Sequence, residues 1–219
     1  MNWFYLSILA QLLWSISNFV DKYLMNRYFK TGSVGALAIF LGLVDIVFAP
    51  IVLLLDNHVL SFPLFHILIL LTFGVILIFA YILYSYALQG EEASVVIPLF
   101  QMIPVISYFL GLIFLHETLT LRQIIASLIV VFGAIVISLD LSNTIPKIKA
   151  KVLLFTFIFC LLFSITAVGF KYFAIKDSFW ATTFWVYLGS GLGGLGLFLF
   201  VKSYRQTVIK LLSKKALIL

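Results

Sequence analysis

The residues of this 219-residue chain that could do chemistry are few, and they stand inside long apolar stretches. Asp45 lies 11 residues after Val34 and 10 before Leu55, near the centre of one such stretch. An aspartate at that depth of a bilayer costs about 2.5–3.5 kcal/mol on insertion scales and by default marks a pathway or a paired site. Gln101 lies between Pro98 and Pro104 in another. Each proline removes a backbone donor and displaces the carbonyl four residues back, which frees the carbonyls of Ser94 and Phe100. Trp14, Ser17, Asn18 and Asp21 have i, i+3, i+4, i+7 spacing and share one helix face. Lys22 can snorkel at the end of that helix, and it can pair with Asp45 only if the first two helices tilt suitably. Tyr81, Ser85 and Gln89 share a face four residues apart, and Ser94, Gln101 and Tyr108 recur every seven. Such types at mid-depth suit binding of a polar solute, with proton exchange at Asp45 as a further expectation. Each has a plainer reading too: an interfacial cluster, a paired structural aspartate, tyrosine anchors at a span end, or a kinked packing helix.

The elements that hold these residues are membrane spans. With 64% hydrophobic and 10% charged residues, the chain departs from soluble domains, in which about 45–50% and about 25% are usual. Apolar runs at 3–22, 34–55, 64–88, 92–115, 121–139, 151–173 and 180–201 each meet the length of a bilayer span. Spans interrupted by proline are tolerated where neighbouring helices or a wet cavity satisfy the freed carbonyls. The N-terminus lacks a basic n-region and a small-residue cleavage site, so the first run is expected to stay as an anchor. A net charge of +6 carried by few residues reads as loop asymmetry, not as a nucleic-acid footprint. Eleven lysines and arginines fall on one side of the spans and three on the other, so the positive-inside rule puts the N-terminus outside.

Several motifs point away from chemistry. One cysteine, Cys160, excludes a disulfide framework and a cysteine metal site within the chain. His58, His66 and His116 lack metal-ligand spacing, and no nucleophile motif is present, so neither an enzyme nor a cofactor is expected. Gly189-Ser190-Gly191-Leu192-Gly193-Gly194 matches a dinucleotide fingerprint, but inside an apolar run Gly189 and Gly193 read better as a helix-packing pair. Thr120 to Gln123 is a capping box that starts the fifth span, and Glu117 just before it is expected to satisfy turn amides.

An internal repeat sets the architecture. Leu12-Leu13-Trp14-Ser15-Ile16 and Lys22-Tyr23 match Leu161-Leu162-Phe163-Ser164-Ile165 and Lys171-Tyr172 at a constant offset of 149, which also places Gly42 on Gly191. One unit holds five spans, an odd number, so the second enters from the opposite side, as in inverted-repeat transporters. The expected organisation is a five-helix repeat over 1–142 and an incomplete inverted repeat over 150–219. On this count a complete pair needs about 298 residues, and the chain reads as truncated.

Ala93-Ser94, Pro98-Leu99, Pro104, Gly111, Glu117-Thr118-Leu119-Thr120 and Gly133, with the Trp14 to Lys22 helix end, resemble the EamA-type branch of the drug/metabolite transporter superfamily. That resemblance implies an all-α bundle of ten helices in two inverted repeats, a cytoplasmic N-terminus, and movement of small solutes by alternating access around a central cavity. It places the polar inner residues of the first, third and fourth helices along that cavity. The expected function is a multi-pass cell-membrane carrier of a small polar or amphipathic metabolite. Trp14, Asn18, Asp45, Tyr81, Ser94 and Gln101 are the expected binding residues, and Pro98 and Pro104 the hinge. The alternative is a non-transporting membrane subunit that packs with a partner. The expected partners are a small-molecule substrate, the lipid bilayer, and either a further copy or further C-terminal helices.

Overall fold

The computed structural model describes residues 3–29, 34–56, 59–138 and 149–213. His58, the connection 139–148 with Pro146, and Lys214 and Lys215 lie outside them. Among the described residues all regular structure is helical, as the composition requires: in lipid a spanning segment must satisfy its backbone within itself. The helices are α1 (Trp3–Tyr28), α2 (Ala36–Leu55), α3 (Leu64–Gly90), α4 (Ala93–Leu99), α5 (Met102–Phe114), α6 (Leu121–Ser138), α7 (Ala150–Lys176), α8 (Phe179–Phe200) and α9 (Lys202–Ser213). A short 3-10 turn, Val59–Ser61, precedes α3.

Among the described residues five segments are both long and apolar enough to cross a membrane: α2, α3, α4 together with α5, α7 and α8. These give a polytopic helical membrane bundle. The 26 residues of α1 reach six positions past the expected end of the first run, and its polar stripe lowers its hydropathy. Sequence reading missed α9, because a search for apolar runs does not see an amphipathic helix. Its Tyr204 and Val208, four residues apart, are buried, while its lysines face outwards.

Packing centres on α8, which lies most extensively against α2 and α3; α7 packs on α3 and α5. Helix directions follow from the contacts. Gly42 meets Gly194 while Asp56 meets Ser178, so α2 and α8 are antiparallel. Leu71 meets Gly189 and Ile78 meets Gly193, so α3 and α8 are parallel. At the α3–α8 crossing the backbones touch. A side chain on Gly74 would fall on the backbone of Val186 to Ser190, and one on Gly189 on that of Leu71. A methyl on Gly42 would lie 2.8 Å from the Ser190 carbonyl oxygen. The glycine motif of α8 is therefore a packing surface that permits close approach.

The proline-bearing span is broken, as its sequence predicts. Phe100 and Gln101 separate α4 from α5. Their amides bond to Ile97 and Pro98 at 3.0 and 3.1 Å, and the Phe100 carbonyl accepts from Ile103 at 2.9 Å, all in the tighter i→i+3 pattern. That leaves the Leu99 carbonyl without its ordinary partner. The Cys160 thiol of α7 donates to it at 3.9 Å, and one turn on the Ser164 hydroxyl donates to the Ile103 carbonyl at 3.2 Å. Two side chains of a neighbouring helix thus steady the break. The capping box forms as expected: the Thr120 amide donates to Gln123 Oε1 at 2.8 Å and the Gln123 amide to Thr120 Oγ1 at 3.4 Å.

Candidate functional site: a polar stripe inside the apolar bundle

Four helices contribute to one polar stripe. From α1, Asn18 is only 5% exposed and accepts the Tyr84 hydroxyl at 2.8 Å, and Asp21 Oδ2 lies 2.9 Å from the same oxygen. One phenolic proton serves one acceptor at a time. With the Asn18 amide turned so that Nδ2 donates to the phenol, Tyr84 can donate to Asp21 and all three groups are satisfied. One helical turn back on α3, the Tyr81 ring meets Tyr84 edge-on at 5.9 Å. Tyr81 lies within electrostatic reach of the α1 carboxylate Asp21, the α2 carboxylate Asp45 and Tyr187. Asp45 accepts a hydrogen bond from the Ser190 hydroxyl of α8, and Tyr187 stands near it. Neither Asp21 nor Asp45 has a cation at ion-pair distance among the described residues.

The six sequence-predicted residues do not all meet. Asn18, Asp45 and Tyr81 join the stripe. Trp14 touches its aromatic flank through Phe163 at 5.5 Å, from which rings continue through Phe159 and Phe100 to Tyr84. Gln101 lies at the helix break, half-buried and without a side-chain hydrogen bond among the described residues. Ser94 is exposed at the start of α4 and donates to Glu92 at 3.3 Å. The break at Phe100–Gln101 interrupts the seven-residue stripe from Ser94 to Tyr108. Sequence reading missed Tyr84, Ser190 and Tyr187 as members: tyrosines near a span end look like interface anchors, and a serine among glycines looks like packing.

Replacing Tyr84 by phenylalanine removes one oxygen and leaves buried Asn18 without that partner. A cost of about 1–3 kcal/mol follows, measured as lowered unfolding stability in detergent. A loss below about 0.5 kcal/mol would mean the three groups do not form one network.

Ion pairs and caps close the two ends of the bundle. At the end where α3 terminates, Lys22 Nζ donates to the carbonyls of Leu88 and Glu91, the latter at 2.7 Å. It is therefore not the partner of Asp45. Lys149 donates to the Gly90 carbonyl at 2.9 Å and lies 3.4 Å from Glu91 Oε1. At the other end, Lys171 reaches Glu117 Oε2 at 2.6 Å. Glu117 thus pairs with a cation instead of satisfying turn amides. There too His66 Nδ1 lies 3.1 Å from Asp177 Oδ2, and the Ser178 hydroxyl donates to Asp56 at 2.5 Å.

An apolar cavity of about 330 Å³ lies apart from the stripe, between α3, α5 and α7, and is lined by Phe73, Leu110, Phe114, Ile165, Phe173 and neighbours. Its lining is almost wholly apolar, with Tyr172 as its one polar side chain. Among the described residues no three His, Cys, Asp or Glu side chains group to hold a metal.

Apolar spanning helices packed around an internal polar stripe define a multi-pass membrane protein. Residues 1–139 match the model of the EamA-like transporter family, and the chain belongs to that family. It is thus a membrane transporter in its general class, and the family's members are transporters and not enzymes. It is similar to an uncharacterized protein of Methanocaldococcus jannaschii, with 28% identity over 137 residues that span 62% of this chain and 95% of that relative. That relative is therefore about two thirds the length of this chain. No solved structure matches.

Proposed function

We propose that the chain works as a carrier of a small polar or amphipathic metabolite across the cell membrane, by alternating access around the stripe from Asn18 to Asp45. The carrying observation is the placement of Asp45: a carboxyl in a spanning helix, held by a neutral hydroxyl, with no cation against it among the described residues. A charged aspartate kept only for structure would be expected to have a cationic partner. The bare carboxyl leaves capacity for a substrate group or a proton.

The repeat expected at an offset of 149 supports the carrier reading. Under the offset of 149, Gly42 corresponds to Gly191 and Asp45 to Gly194. Gly42 lies against Gly194, and Asp45 bonds to Ser190, the neighbour of Gly191. Equivalent positions therefore contact one another within one residue of reciprocity, as a two-fold relation through the α2–α8 crossing would have it. The antiparallel course of these two helices suits a unit with an odd number of spans. In this reading Asn18, Asp45 and Tyr81, joined by Asp21 and Tyr84, contact the solute. Gln101 offers a free amide at the break, Trp14 and Ser94 stand at the margins, and Pro98 and Pro104 keep α4 and α5 hinged.

Purified protein in proteoliposomes, tested with a panel of radiolabelled amines, amino acids, organic acids and sugars under an imposed gradient, checks this. At least one solute should show saturable uptake that Tyr81→Ala reduces at least tenfold. Uptake of none would favour a packing subunit.

A further inference from the structure

Lys22 and Lys171 stand 149 residues apart, at equivalent places in the two units, and each fastens one end of the bundle. They lie at opposite ends. Gly90 at the end of α3 meets Val152 at the start of α7, whereas His66 at the start of α3 meets Asp177 just past the end of α7. Lys22 therefore works beside the α3–α4 turn, and Lys171 works on the α5–α6 turn that carries Glu117. Lys22 binds carbonyls at a helix C-terminus, where the aligned peptide dipoles favour a cation. Lys171 binds a carboxylate. Between the two ends lies the polar stripe, with Asn18 5% and Ser190 2% exposed.

We propose that Lys22 and Lys171 are the two latches of the carrier, each holding one end of the stripe closed and each released when that end opens. The inference rests on the carrier reading and on the repeat. Both latches are engaged in this structure, with Asn18 and Ser190 buried between them and Asp21, Asp45 and Tyr81 partly exposed. The bonds suit reversible closure. Lysine is a compact point charge on a flexible stem and can exchange a protein partner for water as the helices part. The Lys171–Glu117 pair is about half-exposed on both sides, at 48% and 46%, and such pairs hold weakly. Lys22 is half-buried and satisfies two carbonyls, so it is the tighter latch. Lys149 supports that end from the start of α7.

The test uses the full chain in uniformly oriented proteoliposomes. Cys160→Ser removes the native thiol and keeps a donor to Leu99, and Tyr187→Cys beside Asp45 reports access. A membrane-impermeant maleimide is then offered from either side. Lys22→Ala should raise labelling about tenfold from the Lys22 end and lower it from the other. Lys171→Ala should raise it about threefold from the Lys171 end and lower it from the first. Lys22→Arg should restore the parent rates. If a lysine variant does not fold, Glu117→Gln removes the anion of one latch and Lys22→Gln the charge of the other. Labelling that changes less than twofold, or that rises from the same side in both variants, overturns the proposal. A protein that moves solute while labelling ignores both lysines refutes the latches and leaves the carrier standing. Labelling that follows the lysines, while the chain with Tyr187 intact moves no solute of the panel, keeps the two closures and refutes the carrier.

Discussion

Gly189→Leu should abolish a stable bundle, with a loss above about 3 kcal/mol, at or beyond the upper range for overpacked sites. The reason is the identity of the atoms in the way. A new Cβ on Gly189 meets the backbone of Leu71, and one on Gly74 meets the backbone of Val186 to Ser190. A side chain can rotate aside, but a helix backbone can only be pushed away as a unit. Pushing α3 from α8 separates two of the most extensively packed helices. Gly196 gives the internal control, because it lies in the same helix with no atom within 4 Å of its would-be Cβ. Gly196→Leu should change stability by less than about 0.5 kcal/mol. Thermal unfolding and monodispersity in detergent read both variants. A tolerated Gly189→Leu, or an equally damaging Gly196→Leu, would show that the crossing is misplaced.

Asp45→Asn should separate folding from transport. Asparagine keeps the shape and can still accept from the Ser190 hydroxyl, so the hydrogen bond of the native pair survives. It also removes a charge that has no cationic partner among the described residues, and an uncompensated charge away from water is costly. Stability should therefore hold or improve slightly. Flux should fall about 100-fold, the order expected when one partner of a desolvated charged contact is lost, at about 2–5 kcal/mol. Ser190→Ala, which leaves the carboxyl in place, should reduce flux less than tenfold. A structural aspartate gives the opposite pair of results, with lowered stability and flux that falls only as folded protein is lost.

The sequence was informative where one physical constraint dominates. Bilayer thickness fixes the span lengths, so the apolar runs appear as helices within a few residues. Proline chemistry placed the break correctly, between Pro98 and Pro104, because lost donors force a tighter backbone there. Thr120 and Gln123 cap α6 for an equally local reason. The site depends instead on the angles at which helices cross. The Asp45–Ser190 bond spans 145 positions and exists because Gly42, Gly74 and Gly189 let α8 approach two helices closely. Spacing within one helix could place Asn18 and Asp21 on a common face, but it could not show that Tyr84 lies opposite both. The Ser94 to Tyr108 stripe failed for a related reason: a seven-residue period needs a continuous helix, and the prolines end it. For α9 the signal was present in Tyr204 and Val208, four residues apart, but in a segment too polar to register as a span.

Entrance counterflow is the most direct test of a carrier with one alternating site. Proteoliposomes are loaded with excess unlabelled solute from the panel, diluted into a trace of the radiolabelled form, and sampled over time. A single site exposed to one side at a time returns loaded with label more often than it leaves with it. The label inside should then rise transiently above its equilibrium level and decay, and Asp45→Asn should abolish the overshoot. A monotonic approach to equilibrium, or an overshoot that Asp45→Asn leaves intact, would contradict alternating access at this stripe.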